Sequence, residues 1–298
     1  MAIKSILVPV PDGNSAPALH AALIVAETFH AHVEGLHVPR FAPSSSPRDR
    51  HFAFSASGGV ATDEAVAGIR EAISHAEVRM ERTAKEAREL FERTIAKRDI
   101  PLREDAGASD APSASWRAIN GDEAQIVANY GGGFDLIVVG HPGDGSGYLS
   151  DDTVQAALLA TGTAVLVAPP RAPETIGQRI LVGWNRSIQS GRAVSAAIPF
   201  LRRAEKVVVF SVTTGAKQGP ATADVARWLA WHGVVATVTE VPPDYRRVGE
   251  VLLTEVQEKK INLLVMGAYS HHRIRELILG GVTRDVLPAA EIPVLMAR

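Results

Sequence analysis

Two glycine-containing segments, one in each half of the chain, have residue types that suit phosphate binding. In the second half, an apolar run ends at Gly267, and a glycine pair, Gly280 and Gly281, precedes a helical pattern. A glycine at the end of a strand lets backbone amides approach a ligand closely. Free amides at the start of a helix favour an anion. The segment therefore predicts an anion site, most simply a site for a phosphate group.

Four basic or imidazole side chains lie between these glycines, namely His271, His272, Arg273 and Arg275. They have two interpretations: contact with a phosphate or other anion, or a solvated basic loop and helix. The cluster makes the second half the better candidate for a nucleotide site.

The corresponding segment of the first half is altered. It begins with the pattern G-x-x-G at Gly140 and Gly143, but nine residues further on Thr153 and Val154 replace a glycine and a hydroxyl residue. Three carboxylates in the same segment, Asp144, Asp151 and Asp152, would repel a triphosphate. We expect that the first half does not hold ATP.

Other catalytic chemistry has little support in the sequence. The chain has no cysteine, which excludes disulfides, thiolate metal sites and cysteine nucleophiles. The nucleophile elbow, the lysine-containing phosphate loop and the zinc-binding helix motif are all missing from it. His30, His32 and His37 have two interpretations: a metal site around the second strand, since imidazole is a common ligand, or surface or core histidines, which is the stronger one. We therefore assign no catalytic residue and no metal ligand.

Length and composition indicate a globular chain with two domains. The chain has 298 residues, of which 46% are hydrophobic and 21% charged, and its formal net charge is −2. This balance gives no basic surface for nucleic acid. The amino-terminal run MAIKSILVPVPDG is typical of a strand rather than a signal peptide, and no stretch of about 18 apolar residues predicts a membrane span. We expect a soluble, cytoplasmic protein with no nucleic-acid or membrane partner.

The chain contains an internal duplication, visible in three apolar runs that recur in the same order. Each run is rich in β-branched residues, as in parallel strands that are covered on both faces. The pairs are residues 6–10 with 180–184, 135–140 with 262–267, and 163–168 with 292–297.

Helical patterns between these runs predict a parallel α/β sheet in each half, with right-handed crossovers. The first strands of the two copies lie 174 residues apart and the strands before the glycines 127 apart, so the first half carries 47 extra residues. We place this insertion at about residues 41–97. It comprises a Ser/Pro/Gly-rich loop and a long amphipathic helix from about Thr62 to Lys97, spanning roughly 50 Å. This helix either breaks near Gly68 or packs its first turns on the other half or on a partner chain.

These motifs closely resemble the universal stress protein family, and two copies in one chain resemble its tandem members. The resemblance covers nearly the whole chain except the insertion. It implies two domains, 1–168 and 176–298, joined by a linker at 169–175. Each domain is expected to be a five-stranded parallel sheet sandwiched by helices, of the nucleotide-binding α/β type that is similar to adenine nucleotide alpha hydrolases.

The resemblance also implies a ligand, because some members bind an adenine nucleotide. In those members an acidic residue after the first strand lies at the base or ribose, and the glycine motif holds the phosphates. Here Asn185 replaces the acid in the second half and Ser270 replaces the second motif glycine, whereas the first half keeps Asp12. The implied nucleotide-binding residues are Gly183, Trp184, Asn185, Gly267, Ser270, His271, Arg273, Gly280, Gly281, Val282 and Thr283, with a degenerate first-half site at Asp12, Gly140 and Gly143.

Three functions are compatible with these features. The resemblance implies a stress-response binding and signalling module, in which two halves pack as an internal pseudo-dimer, with ATP and Mg²⁺ or a related adenine nucleotide as ligand. The second is a slow ATPase or adenylate-using enzyme, although phosphoryl transfer usually needs a carboxylate-held Mg²⁺ and the second site has few placed acids. The third is a scaffold that binds no nucleotide and forms a homodimer through its sheet edges.

Overall fold

The computed structural model describes residues 2–11, 15–39, 63–105, 107, 110–142, 151–213, 219–268 and 281–298. Within its helices, residues 63–70, 72, 73 and 151 are described by their backbone alone. None of the described helices is long and apolar enough to cross a membrane.

The first half contains five strands and four helices in its described part. The strands are buried apolar segments, and Pro17 in the first turn of the first helix suits a helix start because a helix needs no amide donor there. The elements are β1 (Ser5–Pro9), α1 (Ala16–Phe29), β2 (His32–His37), α2 (Asp63–Ala96), β3 (Ser113–Ala118), α3 (Glu123–Tyr130), β4 (Leu136–Val139), α4 (Asp151–Ala160) and β5 (Ala164–Val167).

The second half repeats this order in its described part. Its elements are β6 (Arg179–Gly183), α5 (Ile188–Leu201), β7 (Lys206–Val212), α6 (Thr222–Trp231), β8 (Ala236–Val241), α7 (Val248–Glu258), β9 (Leu263–Gly267), α8 (Gly281–Val286) and β10 (Val294–Ala297). All three repeated runs of the sequence form strands, as β1 and β6, β4 and β9, and β5 and β10. The predicted α/β fold with five parallel strands in each half is confirmed.

The two five-stranded sheets join into a single ten-stranded sheet. Its order is β3-β2-β1-β4-β5-β10-β9-β6-β7-β8, and every neighbouring pair is parallel except β5 with β10. At this antiparallel seam Leu166 lies opposite Leu295, and both side chains are completely buried. The two halves therefore pair as an internal pseudo-dimer, with their strands running in opposite directions.

Each face of this sheet carries one layer of helices that crosses the seam. One hydrophobic cluster contains Leu19 of α1 and Phe91 of α2 together with Ala193 of α5 and Leu229 of α6. The other cluster contains buried side chains of α3, α4, α7 and α8. At the seam, the rings of Phe29 and Phe200 meet edge to face with centroids 4.9 Å apart, so α1 contacts α5 directly.

The long helix of the insertion is continuous, because α2 is helical through Gly68 without a break. Its 34 residues reach about 50 Å at 1.5 Å per residue. The carboxyl-terminal part buries Ala87, Leu90, Phe91 and Ile95 against the sheet. The side chains of the first turns lie outside the described part, so packing on the other half or on a partner stays a prediction. The domain boundaries also stay a prediction.

Gly35 in β2 permits the closest approach of α2 to the sheet. A Cβ at this position would lie 2.7 Å from the Phe91 ring and 3.0 Å from the Trp116 ring. We predict that Gly35→Ala lowers the free energy of unfolding by about 1–3 kcal/mol, the usual cost of overpacking a core. Urea unfolding measures this loss. Gly133→Ala is the control, because an added Cβ there meets no described atom within 4 Å, and equal midpoints for the two variants would contradict the prediction.

Candidate functional site

The second half has a topological switch point at the carboxyl ends of β6 and β9. From β6 the chain proceeds to β7 and β8 on one side, and then returns to β9 and β10 on the other side. Helices α5 and α6 cover one face, and α7 and α8 cover the other. Open parallel sheets bind ligands at such a point, outside the strand ends. Gly183 is paired in register with Met266, so Gly183 and Gly267 lie at the same edge.

Trp184 follows Gly183 and belongs to the core. Its side chain is 7% exposed, and its indole Nε1 donates a hydrogen bond to the Pro220 carbonyl oxygen at 3.0 Å. Its backbone nitrogen donates to the Phe210 carbonyl oxygen at 2.8 Å and continues the pairing of β6 with β7. The structure therefore gives Trp184 a core role and holds the loop after β6 against Pro220.

Asn185 organises the turn that leads into α5. Its Oδ1 accepts hydrogen bonds from the Ser187 hydroxyl at 2.6 Å and from the Ser187 backbone nitrogen at 3.2 Å. Ser187 then caps α5 by accepting a bond from the Ser190 nitrogen at 3.1 Å. Arg186 between them has a left-handed φ of 62°. The carbonyl oxygen of Arg186 approaches Gly219 so closely that a Cβ at Gly219 would lie 2.8 Å from it.

Gly267 lies directly under the first turn of α5. A Cβ at Gly267 would be 2.5 Å from the backbone nitrogen of Ser190 and 2.7 Å from the backbone carbon of Gln189. Since both contacts are backbone atoms, no rotamer change can relieve them. The glycine that the sequence assigns to phosphate binding therefore also sets the position of α5 over the strand end.

Helix α8 begins with Gly281, Val282 and Thr283, the last three residues of the predicted phosphate-binding motif. Gly281 is exposed, Val282 is half-buried, and Thr283 is 3% exposed. One ion pair ties α8 to α7, because Arg247 Nη1 lies 2.8 Å from Asp285 Oδ1. A Cβ at Gly249 would lie 2.7 Å from the Asp285 Cβ, so the two helices are in close contact.

Four assigned residues of the second half, Ser270, His271, Arg273 and Gly280, lie outside the described residues. The same is true of Asp12 and Gly143 in the first half. The structure thus brings together Gly183, Trp184, Asn185 and Gly267 around the ends of β6 and β9 and the start of α5.

The first-half counterpart has a different arrangement of polar groups. Gly140 is half-buried at the end of β4, and Thr153 is completely buried in α4. The Thr153 hydroxyl donates a hydrogen bond to Glu123 Oε1 at 2.9 Å. Val154 belongs to the core. Thr153 stands at the motif position where the family has a glycine. Its hydroxyl is therefore already bonded to a buried carboxylate.

His141 follows Gly140, and its side chain is buried near the backbone of Pro142 and of Leu287, which precedes β10 in the second half. Its Nε2 has no hydrogen-bond partner within the described ranges. Burial lowers the pKa of His141, and the backbone of Leu287 and Pro142 opposes this lowering.

The three histidines near β2 have separate environments. His30 ends α1 with a left-handed φ of 53°, His32 hydrogen-bonds Ser113 and Ser115, and His37 bonds the Val10 carbonyl oxygen through Nδ1 at 2.8 Å. Across the described residues, no group of three or more His, Asp or Glu side chains is arranged to hold a metal ion.

Sequence reasoning missed three residues that position this site: Gly219, Pro220 and Gly249. The Gly-Pro pair was visible as a turn signal after an apolar strand. Gly249 gives no such signal, because its role depends on contact with Asp285, which lies far away in the chain.

The model of the universal stress protein family matches residues 177–298. This second half of the chain belongs to the universal stress protein family. A segment of 49 residues is 43% identical to a universal stress protein of Synechocystis and spans 17% of that relative's length, or 16% of this chain.

Two solved structures share the fold over almost the whole chain. A universal stress protein from Archaeoglobus fulgidus has a TM-score of 0.63 at 14% identity, and the alignment covers 99% of this chain and 98% of that one. A functionally unknown protein from Pseudomonas aeruginosa has a TM-score of 0.52 at 19% identity, with coverage of 99% and 92%. The first half of this chain therefore has the fold found in a universal stress protein.

Gly267→Ala tests the contact between β9 and α5. We predict that the free energy of unfolding falls by about 1–3 kcal/mol, because the new Cβ would overlap the backbone of α5. Gly281→Ala is the matched control at the same motif, since its Cβ would meet no described atom within 4 Å. Chemical denaturation of both variants measures the difference. A Gly267 variant as stable as the control would show that α5 can move away at no cost.

His141→Gln tests the buried imidazole. Since the folded state lowers the pKa of His141, the unfolded chain takes up this proton first, and stability falls as the pH decreases below about 6.5. We predict that the variant loses less stability than wild type between about pH 7.5 and pH 5.5. Urea midpoints at the two pH values measure this change. His32, whose pKa is also lowered by burial, keeps part of the acid dependence in both proteins. Equal acid losses would exclude His141 as a contributor.

Proposed function

We propose that this chain is a tandem universal stress protein that acts in the cytoplasm as a stress-response binding module and holds an adenine nucleotide in its second half. The topological switch point between β6 and β9 carries the proposal, since Gly183 and Gly267 leave the strand ends without side chains there. The two halves have different roles in this proposal. The nucleotide binds to the second half, which matches the family model.

The phosphate end of the ligand lies, in this proposal, along the segment from Gly267 to Thr283. Its glycines allow close approach of backbone amides, Arg273 supplies positive charge, and His271 supplies a hydrogen-bond donor. The ion pair of Arg247 with Asp285 supports this assignment, because it neutralises the carboxylate that lies closest in sequence to Thr283.

The base and ribose lie beside the loop of Gly183, Trp184 and Asn185. Asn185 uses Oδ1 for the turn to Ser187, and Trp184 is buried with its indole bonded to Pro220. We propose that backbone groups of this loop, rather than a stacked indole, contact the base and ribose. Discrimination between nucleotides then depends on hydrogen-bond geometry.

The acidic side chain of this region, Asp285, is already paired, and this favours nucleotide binding over phosphoryl transfer. A Mg²⁺ ion that accompanies ATP neutralises charge on the phosphates and usually needs a carboxylate from the protein during transfer. Asp285 already pairs with Arg247 at 2.8 Å. In the proposal the metal ion is held by the phosphates and by water.

The first half serves as the structural partner of the nucleotide-binding half. Its Thr153 hydroxyl is bonded to Glu123, and the carboxylate would repel a phosphate at this position. Strands β5 and β10 already pair with each other. If the chain forms a homodimer, it uses a surface other than these two strands.

Isothermal titration of Mg-ATP into wild type and Gly281→Asp tests this function. The exposed position has room for the side chain, and an acidic residue is tolerated at the start of a helix, so the fold should be retained. We predict a single site in wild type and an affinity at least about ten-fold weaker in the variant, because the carboxylate repels phosphate. Gly133→Asp introduces the same charge at an open position of the first half and should bind like wild type.

Absence of binding in wild type would refute nucleotide binding and leave the scaffold function. Equal affinity in Gly281→Asp would place the phosphates elsewhere. Phosphate release that requires magnesium and disappears in Gly281→Asp would instead support the slow ATPase.

A further inference from the structure

A large groove lies where the second half meets the amino-terminal edge of the first. Its volume is about 1120 Å³, more than that of most small-molecule pockets. One wall is α5, another is α6, and a third comes from the amino ends of β1, β4 and β5. The antiparallel seam causes this arrangement, because it places the amino end of β5 beside the carboxyl end of β10.

The walls of the groove are largely apolar. Ile188 is 74% exposed and Trp228 is 39% exposed, although both are large hydrophobic side chains. Ile198 and Pro199 extend the α5 wall, and Phe134 lies on the wall of the first half. Exposed apolar side chains that converge on one concavity mark a ligand or partner site more often than isolated ones do.

The charged groups of the groove are unbalanced in favour of cations. Arg192, Arg202 and Arg298 line it, and none of the three forms an ion pair with an Asp or Glu side chain of the described residues. Arg192 donates to the main-chain oxygen of Arg298 at 2.8 Å, and the Arg298 guanidinium donates to the Leu159 carbonyl oxygen at 3.5 Å. Among the described residues, Arg202 is the one of these three arginines whose guanidinium forms no side-chain hydrogen bond.

The two carboxylates of the groove are already engaged. Asp135 Oδ2 accepts hydrogen bonds from the backbone nitrogens of Lys4 and Ser5 and from the Ser5 hydroxyl. Asp224 accepts from the Ala221 nitrogen and pairs with Arg227 at 2.8 Å. An apolar groove in which guanidinium groups lack acidic partners is complementary to a ligand with an apolar body and an anionic head.

We infer that this groove binds an amphipathic organic acid, with a long apolar chain along α5 and α6 and its carboxylate at Arg202. The walls remove the chain from water, so each buried methylene stabilises the complex. Planar guanidinium groups match a carboxylate in a two-point geometry. The groove borders the proposed nucleotide site at Trp184, which lines it, and extends from there along α5 and α6.

Titration calorimetry with oleate, below its micelle concentration, tests the inference in the full chain. We expect one site per chain, and at least about ten-fold weaker binding of uncharged oleyl alcohol. The variant Arg202→Gln should weaken oleate binding at least about ten-fold and leave the alcohol unchanged. Arg82→Gln is the control, because Arg82 is exposed on α2 and does not line the groove, and it should bind oleate like wild type.

A second variant tests the walls independently of charge. Ser195 is exposed and lines the groove, so Ser195→Trp should fill it without burying a polar group and should weaken both oleate and oleyl alcohol at least about ten-fold. Thermal melting monitored by circular dichroism verifies that the variants fold. No oleate binding by wild type, or unchanged binding in both the arginine and tryptophan variants, would overturn the inference. A titration of Mg-ATP into the same variants reports separately on the nucleotide site.

Discussion

The antiparallel pairing of β5 with β10 is the interaction on which the whole architecture depends. Each half alone would end in an exposed parallel edge strand, and such edges invite uncontrolled pairing with other chains. Their mutual pairing closes both edges, buries Leu166 against Leu295, and makes both helical layers continuous. It also fixes the polarity of the molecule, because the carboxyl ends of the two sheets then face opposite directions. The groove between α5, α6 and the first half is a direct result of that polarity.

Close contacts at glycines hold the helices in place over this sheet. Gly35 admits Phe91 of α2, Gly267 admits the first turn of α5, and Gly249 admits Asp285 of α8. At each position a single methyl group would overlap a neighbouring atom. Gly267 is therefore a packing contact for α5 as well as a residue of the proposed nucleotide site. A residue that serves two purposes tolerates less change than either purpose would require by itself.

The two halves share one fold but differ in their polar groups and in their length. The helix accounts for 24 residues of the 47-residue excess of the first half, since α2 has 34 residues and α6 has ten. The shorter α6 borders the groove, and its Trp228 stays partly exposed. At the motif position of the first half, Thr153 bonds to Glu123, whereas α8 of the second half begins with an open glycine. These differences support a division in which one half binds and the other completes the structure.

The sequence determined the elements, because a strand covered on both faces needs a continuous apolar run and a helix needs apolar residues at helical spacing. The three repeated runs therefore predicted six of the ten strands and the parallel fold of each half. Contacts between distant residues could not be predicted in this way. The seam depends on backbone pairing, which any suitable strand can provide, and the burial of Trp184 depends on Pro220 in another loop. The sequence also placed Gly267 in the site, but only the folded chain put Ser190 above it. Local pattern fixes which segment forms which element, whereas the packing of remote surfaces decides what each element meets.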